Sequence, residues 1–336
     1  MRISIILVNY RGWKKLRLCL DSLRLLKGTA FSWEAIIVDN QSADNQLPFF
    51  AAQYPEFRFI ENDGNFGFAN GCNRGAREAS GEYLFFLNPD TIVTPHAIKQ
   101  LLTALESNPE ITILSCKQVN DQGKDTRPYG LFMRPATLTS MLRSIYRLTH
   151  KPFAVRMIQG GYYAIFPEWV SGSAILISQR HYDALQGWDE DYWMYYEDAD
   201  LCKRATARGG RIALLTDVRI IHNHGGASRI NEWVKSLTKS EVLTSKHVYI
   251  HKHFQGSKRF AMQAFLVLSN LFMGPLLLAL AGIIFFFVPA LRASLKLYLN
   301  ILHYYRGVLN HKTWLSQRSV NFKQAARTQT KSQAYL

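Results

Sequence analysis

The chain has 336 residues, 48% hydrophobic and 19% charged, enough for a full core and far too apolar for a disordered chain. Forty Lys and Arg against 25 Asp and Glu give a formal charge of +15, a sign of a polyanionic partner such as nucleic acid, acidic lipid or a phosphorylated substrate. The excess is uneven: residues 1–241 hold all 25 acids against 28 Lys and Arg, a net +3, whereas residues 242–336 hold 12 Lys and Arg and no acid. A near-neutral body, 1–241, therefore carries a basic tail, 242–336.

Ile3–Val8 reads as a strand buried on both faces. Trp13, Leu16, Leu20 and Leu23 follow at helical spacing. Glu34–Val38 is a second strand, closed by Asp39-Asn40. Asn45–Tyr54 reads as a helix, Phe57–Ile60 as a strand, and Gly67–Ala79 as a helix with small residues where it must pack closely. Tyr83–Leu87 is a strand closed by Asn88-Pro89-Asp90, followed by a helix marked by Ile98, Leu101, Leu102 and Leu105, and a strand at Ile111–Cys116. This alternation predicts a parallel α/β sheet. Residues 120–168, rich in Pro and Gly, read as an irregular insertion or flap. Val170–Ser178 is again strand-like, with small residues at Ser171-Gly172-Ser173; Glu197–Arg208 is helical and Arg219–His222 ends a last strand. Residues 261–291 carry no charge, and Leu271–Leu291 is nearly continuous apolar sequence, interrupted by Gly274-Pro275 and Pro289. A bilayer needs roughly 20 apolar residues in a helix, so length permits a span.

The four cysteines, Cys19, Cys72, Cys116 and Cys202, are far apart and read as small buried hydrophobes in a reducing compartment. The first apolar run is too short for a signal peptide, so the body is expected in the cytoplasm.

Ligands of α/β sheets gather at the carboxyl ends of the strands. Asn9-Tyr10, Asp39-Asn40 and Asn88-Pro89-Asp90 fall there. The first βα turn, Asn9-Tyr10-Arg11-Gly12, is neither GxGxxG nor a P-loop, which disfavours a dinucleotide fold and excludes a P-loop. The string Asn65–Gly75 has glycines that would let backbone approach a phosphate at a helix N-terminus, or that simply allow close helix packing.

Six segments, taken together and in order, carry a resemblance. They are Ile5–Tyr10, Val38–Ser42, Asn65–Ala69, Phe86–Asp90, Gly187–Glu190 and Glu197–Leu201. Over about residues 1–230 the chain resembles an inverting glycosyltransferase of family 2, of the rhamnosyltransferase-like kind that builds bacterial cell-surface polysaccharides. The resemblance implies a GT-A fold, a Rossmann-like, mostly parallel sheet flanked by helices. The implied reaction takes rhamnose or another hexose from a nucleoside-diphosphate sugar to a glycan or polyprenyl-diphosphate-linked acceptor.

The resemblance also implies roles. Asp90 matches the last residue of the family's DxD motif and would meet Mg2+ or Mn2+, hard cations that prefer oxygen; the first Asp is here Asn88. Asp198 of the Glu197-Asp198 pair would be the catalytic base, and three acids opening a helix would also suit the helix dipole. Asn9 and Asp39 fall where the family holds the nucleotide's base and ribose, and Asn65 where it contacts the nucleotide. Tyr10, Asn88 and Glu197 are further substrate-binding candidates, Trp188 is an apt wall for a sugar ring, and Asp189 suits an acceptor or sugar-hydroxyl contact or equally a helix or turn cap. Arg74 would meet phosphate or form a surface salt bridge. His222, with His224 as the alternative register, is a further metal ligand.

Three rivals weaken on particular residues. A nucleotidyltransferase would need a Gly/Arg/Lys-rich loop after the first strand. A nucleic-acid module would not tolerate the uncharged block in its basic region. An inactive binding subunit would lack Asp90 or Asp198. The basic residues flank the apolar block on both sides, which favours keeping both ends on the cytoplasmic face of the cell membrane. Gly274-Pro275 and Pro289 suit a re-entrant hairpin or broken in-plane helices, with a single span and a dimerisation region as alternatives.

Overall fold

The computed structural model describes residues 2–149, 153–223 and 232–324. They fall into two compact units. One takes in Met1–Phe132, Lys151–Asp189 and Glu197–Ala227, the other Met133–His150, Glu190–Tyr196 and Ser228–Leu336. The charge boundary at Glu241 thus falls inside a helix, Glu232–His253, of the second unit.

The first unit is built on one sheet. Its parallel part is β1 (Arg2–Asn9), β2 (Ser32–Asp39), β3 (Arg58–Glu61) and β4 (Tyr83–Leu87), in the order β3-β2-β1-β4. After its first residue β1 is buried throughout, as an aliphatic run between two helical layers must be. Helix α1 (Trp13–Arg24) buries Trp13, Leu16, Cys19, Leu20 and Leu23, one stripe at helical spacing. Next come α2 (Gln46–Gln53) and α3 (Phe68–Ala76), then α4 (Pro95–Ser107), which starts at Pro95 with the Thr94 side chain capping Ala97 N at 3.2 Å.

Beyond β4 the sheet becomes mixed. The short β5 (Thr91–Ile92) and β6 (Ile111–Val119) are followed by a two-stranded ribbon, β7 (Tyr129–Gly130) with β10 (Trp169–Val170), and by the hairpin of β8 (Arg156–Met157) and β9 (Tyr163–Ile165). The stretch expected as one strand at Val170–Ser178 is broken by a turn at Gly172-Ser173, and only β11 (Ala174–Ser178) joins the main sheet. It runs antiparallel to both β4 and β6, while β12 (Arg211–His222) is parallel to β6. Helices α5 (Ser140–Thr149), α6 (Gln179–Ala184) and α7 (Glu197–Ala207) complete this part of the chain, α5 lying in the second unit. The described residues of 120–168, expected as an irregular insertion or flap, carry short strands and a helix between irregular stretches.

The second unit is mainly helical: α5, then α8 (Glu232–His253), α9 (Gly256–Phe272), α10 (Gly274–Ile284) and α11 (Pro289–His311). The sequence breaks act where they stand, with Gly274-Pro275 opening α10 and Pro289 opening α11. Its core contains a buried polar knot. His247 Nε2 meets the Tyr305 hydroxyl at 2.9 Å, its Nδ1 faces Gln263 Oε1, and Trp314 stacks on its ring at 4.9 Å. Glu241 is buried nearby in sequence, accepting from the Ser316 hydroxyl at 2.8 Å and lying 3.3 Å from Arg318 Nε. The Gly256–Ile284 stretch is long and apolar enough to cross a membrane.

Burial pushes the Glu241 carboxyl from 4.5 up to about 7 against the pull of Ser316 and Arg318, and lowers His247 from 6.5 to about 4. Between 4.5 and 7 the folded chain holds a proton on Glu241 that the unfolded chain releases, so this group's contribution of about 3 kcal/mol is lost as pH rises. Between 6.5 and 4 the unfolded chain binds a proton that folded His247 refuses, so stability is lost as pH falls. The two slopes oppose each other. Glu241→Gln should expose the histidine slope, giving a denaturation midpoint that rises from about pH 5 to about pH 7 where the parent's is nearly flat. Parallel curves for parent and variant would contradict this.

Candidate active site

Asp90 leaves the carboxyl end of β4 and is met by a residue 132 positions later. The pairing of β5 with the end of β12 sets His222 opposite Thr91 and puts His222 Nε2 3.2 Å from Asp90 Oδ1. His222 Nδ1 lies 2.7 Å from Gln118 Oε1. That oxygen can only accept, so Nδ1 donates to it, and Nε2 is the nitrogen turned to Asp90. Gln118 is held in turn, its Nε2 donating to Ser173 Oγ at 2.8 Å. On the other carboxylate oxygen, Lys15 Nζ stands 3.8 Å away and also donates to the Asn223 carbonyl. Burial pushes the Asp90 carboxyl up, but the His222 bond and the charges of His222 and Lys15 outweigh it and hold the group below its ordinary value.

A carboxylate kept ionised beside an imidazole oriented by an amide is a donor set that fits Mn2+ or Mg2+. Asp90 and His222 are the residues that could hold such a cation. Among the described residues no group of three or more His, Cys, Asp and Glu gathers, so other ligands would be oxygens of substrate or water. The alternative ligand, His224, lies outside the described residues.

Glu197 and Asp198 open α7, and the two residues before them, Tyr195 and Tyr196, have φ of 72° and 67°. Bulky side chains rarely adopt that region, at a cost of roughly 1–3 kcal/mol each, so the entry to α7 is strained. Asp198 Oδ2 accepts from Gly172 N at 3.2 Å and Oδ1 from Ala199 N at 2.7 Å. Glu197 is 7% exposed and its Oε2 has no hydrogen-bond partner among the described residues. Burial raises both carboxyls. The amides of Gly172 and Ala199 oppose the rise at Asp198, whereas the Asp198 charge adds to it at Glu197. Asp198 is therefore the member that ionises first, with Glu197 held further above its ordinary value. Asp200, the third acid, is paired with Arg204 at 2.7 Å.

One turn links the two carboxylate centres. Ser173 accepts from Asn88 N through its carbonyl at 2.9 Å and holds Gln118 through its hydroxyl, while the neighbouring Gly172 amide holds Asp198. Asn88 itself is half-buried, and its carbonyl accepts from the Thr91 hydroxyl at 2.7 Å.

The remaining residues divide. Asp39 is 2% exposed and accepts from Asn9 Nδ2 at 2.9 Å and from the Ser42 amide and hydroxyl at 2.8 and 2.6 Å. Asn9 was expected to touch the nucleotide. It is fully buried, and its side chain is spent between Asp39 and Gly12 N, so it positions Asp39 rather than facing a ligand. Trp188 was expected as a sugar platform. It is 2% exposed and packs edge-on against Phe68 and Phe86, a core residue instead. Tyr10 is half-buried with the Arg11 guanidinium 5.3 Å from its ring centre, and Asp189 is half-buried. Asn65 Oδ1 accepts from Gly67 N at 3.3 Å. Arg74 forms the salt bridge, 2.7 Å to Glu78. The glycines after Asn65 serve packing: a Cβ on Gly71 would meet Val8 at 2.7 Å, and one on Gly75 would meet Ile6 at 2.5 Å. Lys15, Gln118 and Ser173 were not singled out from the sequence; only the small residues at 171–173 hinted at a tight turn.

A mixed sheet flanked by helices is a GT-A-like fold. The chain carries a glycosyltransferase family 2 domain: residues 4–168 match the family described as Glycosyl transferase family 2. Among curated proteins it is 26% identical to the low-salt glycan biosynthesis hexosyltransferase Agl10 of Haloferax volcanii, over 66% of this chain and 67% of that one. It is 24% identical to the N-acetylglucosaminyl-diphospho-decaprenol L-rhamnosyltransferase of Mycobacterium tuberculosis, over 66% and 76% of the two chains. Among solved structures, a mannosyltransferase of Pyrobaculum calidifontis in complex with GDP-Man and Mn2+ shares the fold, with a TM-score of 0.52 at 15% identity over 90% of this chain and 87% of that one.

The packing role of the glycine string has a direct check. Gly75→Ala should lower stability by about 1–3 kcal/mol in denaturant unfolding, from overpacking against Ile6, and leave nucleotide affinity of the folded protein unchanged. Lost nucleotide affinity at unchanged stability would restore the phosphate-site reading.

Proposed function

We propose that this glycosyltransferase moves a sugar, rhamnose or another hexose, from a nucleoside-diphosphate donor to a hydroxyl of a glycan or lipid-linked acceptor, with inversion at the anomeric carbon, in cell-surface polysaccharide synthesis. The observation that carries the reading is the Ser171–Ser173 turn, which ties an ionised Asp90 beside His222 to Asp198, a half-buried carboxylate held by backbone amides. One centre suits the leaving diphosphate and the other suits the acceptor proton.

Asp198 takes the proton of the acceptor hydroxyl. The freed oxygen pair forms the new bond to the anomeric carbon as the bond to the diphosphate oxygen breaks, its electrons leaving with the nucleoside diphosphate. Asp90 and His222 would hold a divalent cation, which when bound neutralises charge on the leaving group. Lys15 stands beside the same carboxylate with a further positive charge. Gln118 fixes the His222 ring, Asn9 and Ser42 fix Asp39 for the nucleotide, and Glu197, held further above its ordinary value, leaves Asp198 as the member of the pair that ionises first. Tyr10, Asn65, Asn88 and Asp189 are half-buried and would meet donor and acceptor hydroxyls.

The acceptor is a membrane-bound one and the enzyme works at the cytoplasmic face of the cell membrane. Two facts support this: the name of the mycobacterial relative gives a sugar on decaprenyl diphosphate as its acceptor, and the apolar, acid-free tail suits an anionic lipid surface better than nucleic acid.

Asp198→Asn should reduce transfer by about 100-fold to 10,000-fold with the donor still bound, as removal of a general base does. In the parent enzyme, NMR of the first-formed product should show the anomeric configuration opposite to that of the donor. The acid limb of kcat/KM should lie above the ordinary carboxylate range, because the Asp198 carboxyl is raised and must be ionised to act. Full turnover in the Asn variant, or retained configuration, would overturn the assignment.

A further inference from the structure

We infer that the helical hairpin of α10 and α11 is a shallow membrane wedge: Phe285–Phe287 at its tip enters the acyl boundary of an anionic bilayer, while Arg292 and Lys296 engage lipid phosphates. The inference rests on the membrane reading above and specifies how the chain meets the lipid.

Most exposed large apolar side chains of the described residues lie on α9–α11, among them Phe272, Leu277, Ile284 and the run Phe285–Phe287, with Phe287 76% exposed. Patches of that size on a soluble surface mark an interaction site. The charge pattern selects lipid as the occupant. No acid follows Glu241 in the sequence, and the apolar block is bounded by exposed Lys258 and Arg259 on one side and by Arg292 and Lys296 on the other. Aliphatic and phenyl groups between cationic flanks match hydrocarbon below an anionic headgroup layer.

The geometry then decides between a span and a wedge. Gly256–Ile284 has the length of a span, but the helix breaks at Met273, and α10 is only 11 residues, about 16 Å, roughly half of a hydrocarbon core of about 30 Å. The chain turns back at Phe285–Val288, and α11 packs directly on α10: a Cβ on Gly282 would run into the Leu291 carbonyl. Arg292 lies one turn beyond the tip and Lys296 a turn further. Both pair with Glu232, at 2.6 and 3.7 Å. Driving α10 through the bilayer would drag this cluster with it, an expensive burial of charge. Resting the hairpin in the interface, about 5–10 Å deep, leaves the cluster at the phosphates and the tip in the acyl boundary.

The test uses the full chain and vesicles of phosphatidylglycerol with phosphatidylethanolamine, or of phosphatidylcholine alone. The expected results are preferential sedimentation with the anionic vesicles and survival of much of that binding at about 1 M salt, where surface electrostatics are screened. Replacing Phe285, Phe286 and Phe287 with Ser should weaken binding on the order of 100-fold. A fluorophore on Phe286→Cys should be quenched more strongly by a shallow lipid nitroxide than by one at the bilayer centre. Stronger quenching at the centre, or reaction of that cysteine with an impermeant reagent from the far side, would show a span. A tip fluorophore shielded without vesicles, in a protein that light scattering finds dimeric, would show a second copy as the occupant. Unchanged binding of the triple variant overturns the wedge outright. Transfer to a water-soluble acceptor analogue, which does not involve the tip, checks that the variants fold; its loss in the parent would count against the function and not against the wedge.

Discussion

The antiparallel pairing of β11 with β4 is the constraint on which the site depends. Because Ala174 pairs with Leu87, the start of β11 lies against the carboxyl end of β4, where Asn88-Pro89-Asp90 emerges. The turn feeding β11 must therefore sit beside the acid leaving β4. Its backbone and one hydroxyl do three jobs there: they bind Asn88, orient Gln118 and so His222, and hold Asp198 at the head of α7. A parallel strand in the same slot would enter from the opposite end of the sheet and leave both acids without this support.

The electrostatics follow from that arrangement. Two buried or half-buried carboxylate centres would ordinarily both be driven towards the neutral form. At Asp90 a histidine and a lysine overcome burial; at Asp198 only backbone amides oppose it. One carboxylate is thus a permanent anion suited to a cation, and the other is an anion that takes up a proton more readily. Glu197, with burial and a neighbouring charge both against ionisation, stays out of this division.

Much of this was legible from the sequence, and the limits are physical. β1, β2 and β4 announce themselves because strands buried on both faces are unbroken apolar runs, and their polar ends mark the ligand side of the sheet. Asp90, Asp198 and His222 could be proposed because short motifs carry them. What could not be read was long-range: Gln118 is 104 residues from His222, and Lys15 is 75 from Asp90. Local polarity also misled at Asn9 and Trp188, since a side chain at a strand end can as well support its neighbour as face a ligand, and an aromatic near an acid can as well fill the core. The parallel expectation held for β1–β4 and failed at β11, because strand direction depends on how the chain returns, which apolar patterning does not encode. The +15 also divides: the near-neutral body holds the few placed groups of the candidate site, while the tail's positive charge flanks an apolar hairpin.

In the proposed mechanism, leaving-group and proton-accepting functions are carried by separate carboxylates. Calorimetric titration of a nucleoside diphosphate with and without Mn2+ tests it most directly. Mn2+ should strengthen binding in the parent and in Asp198→Asn alike, and Asp90→Asn should lose the Mn2+-dependent part. Mn2+-dependent binding that survives in Asp90→Asn, or that disappears in Asp198→Asn, would contradict it.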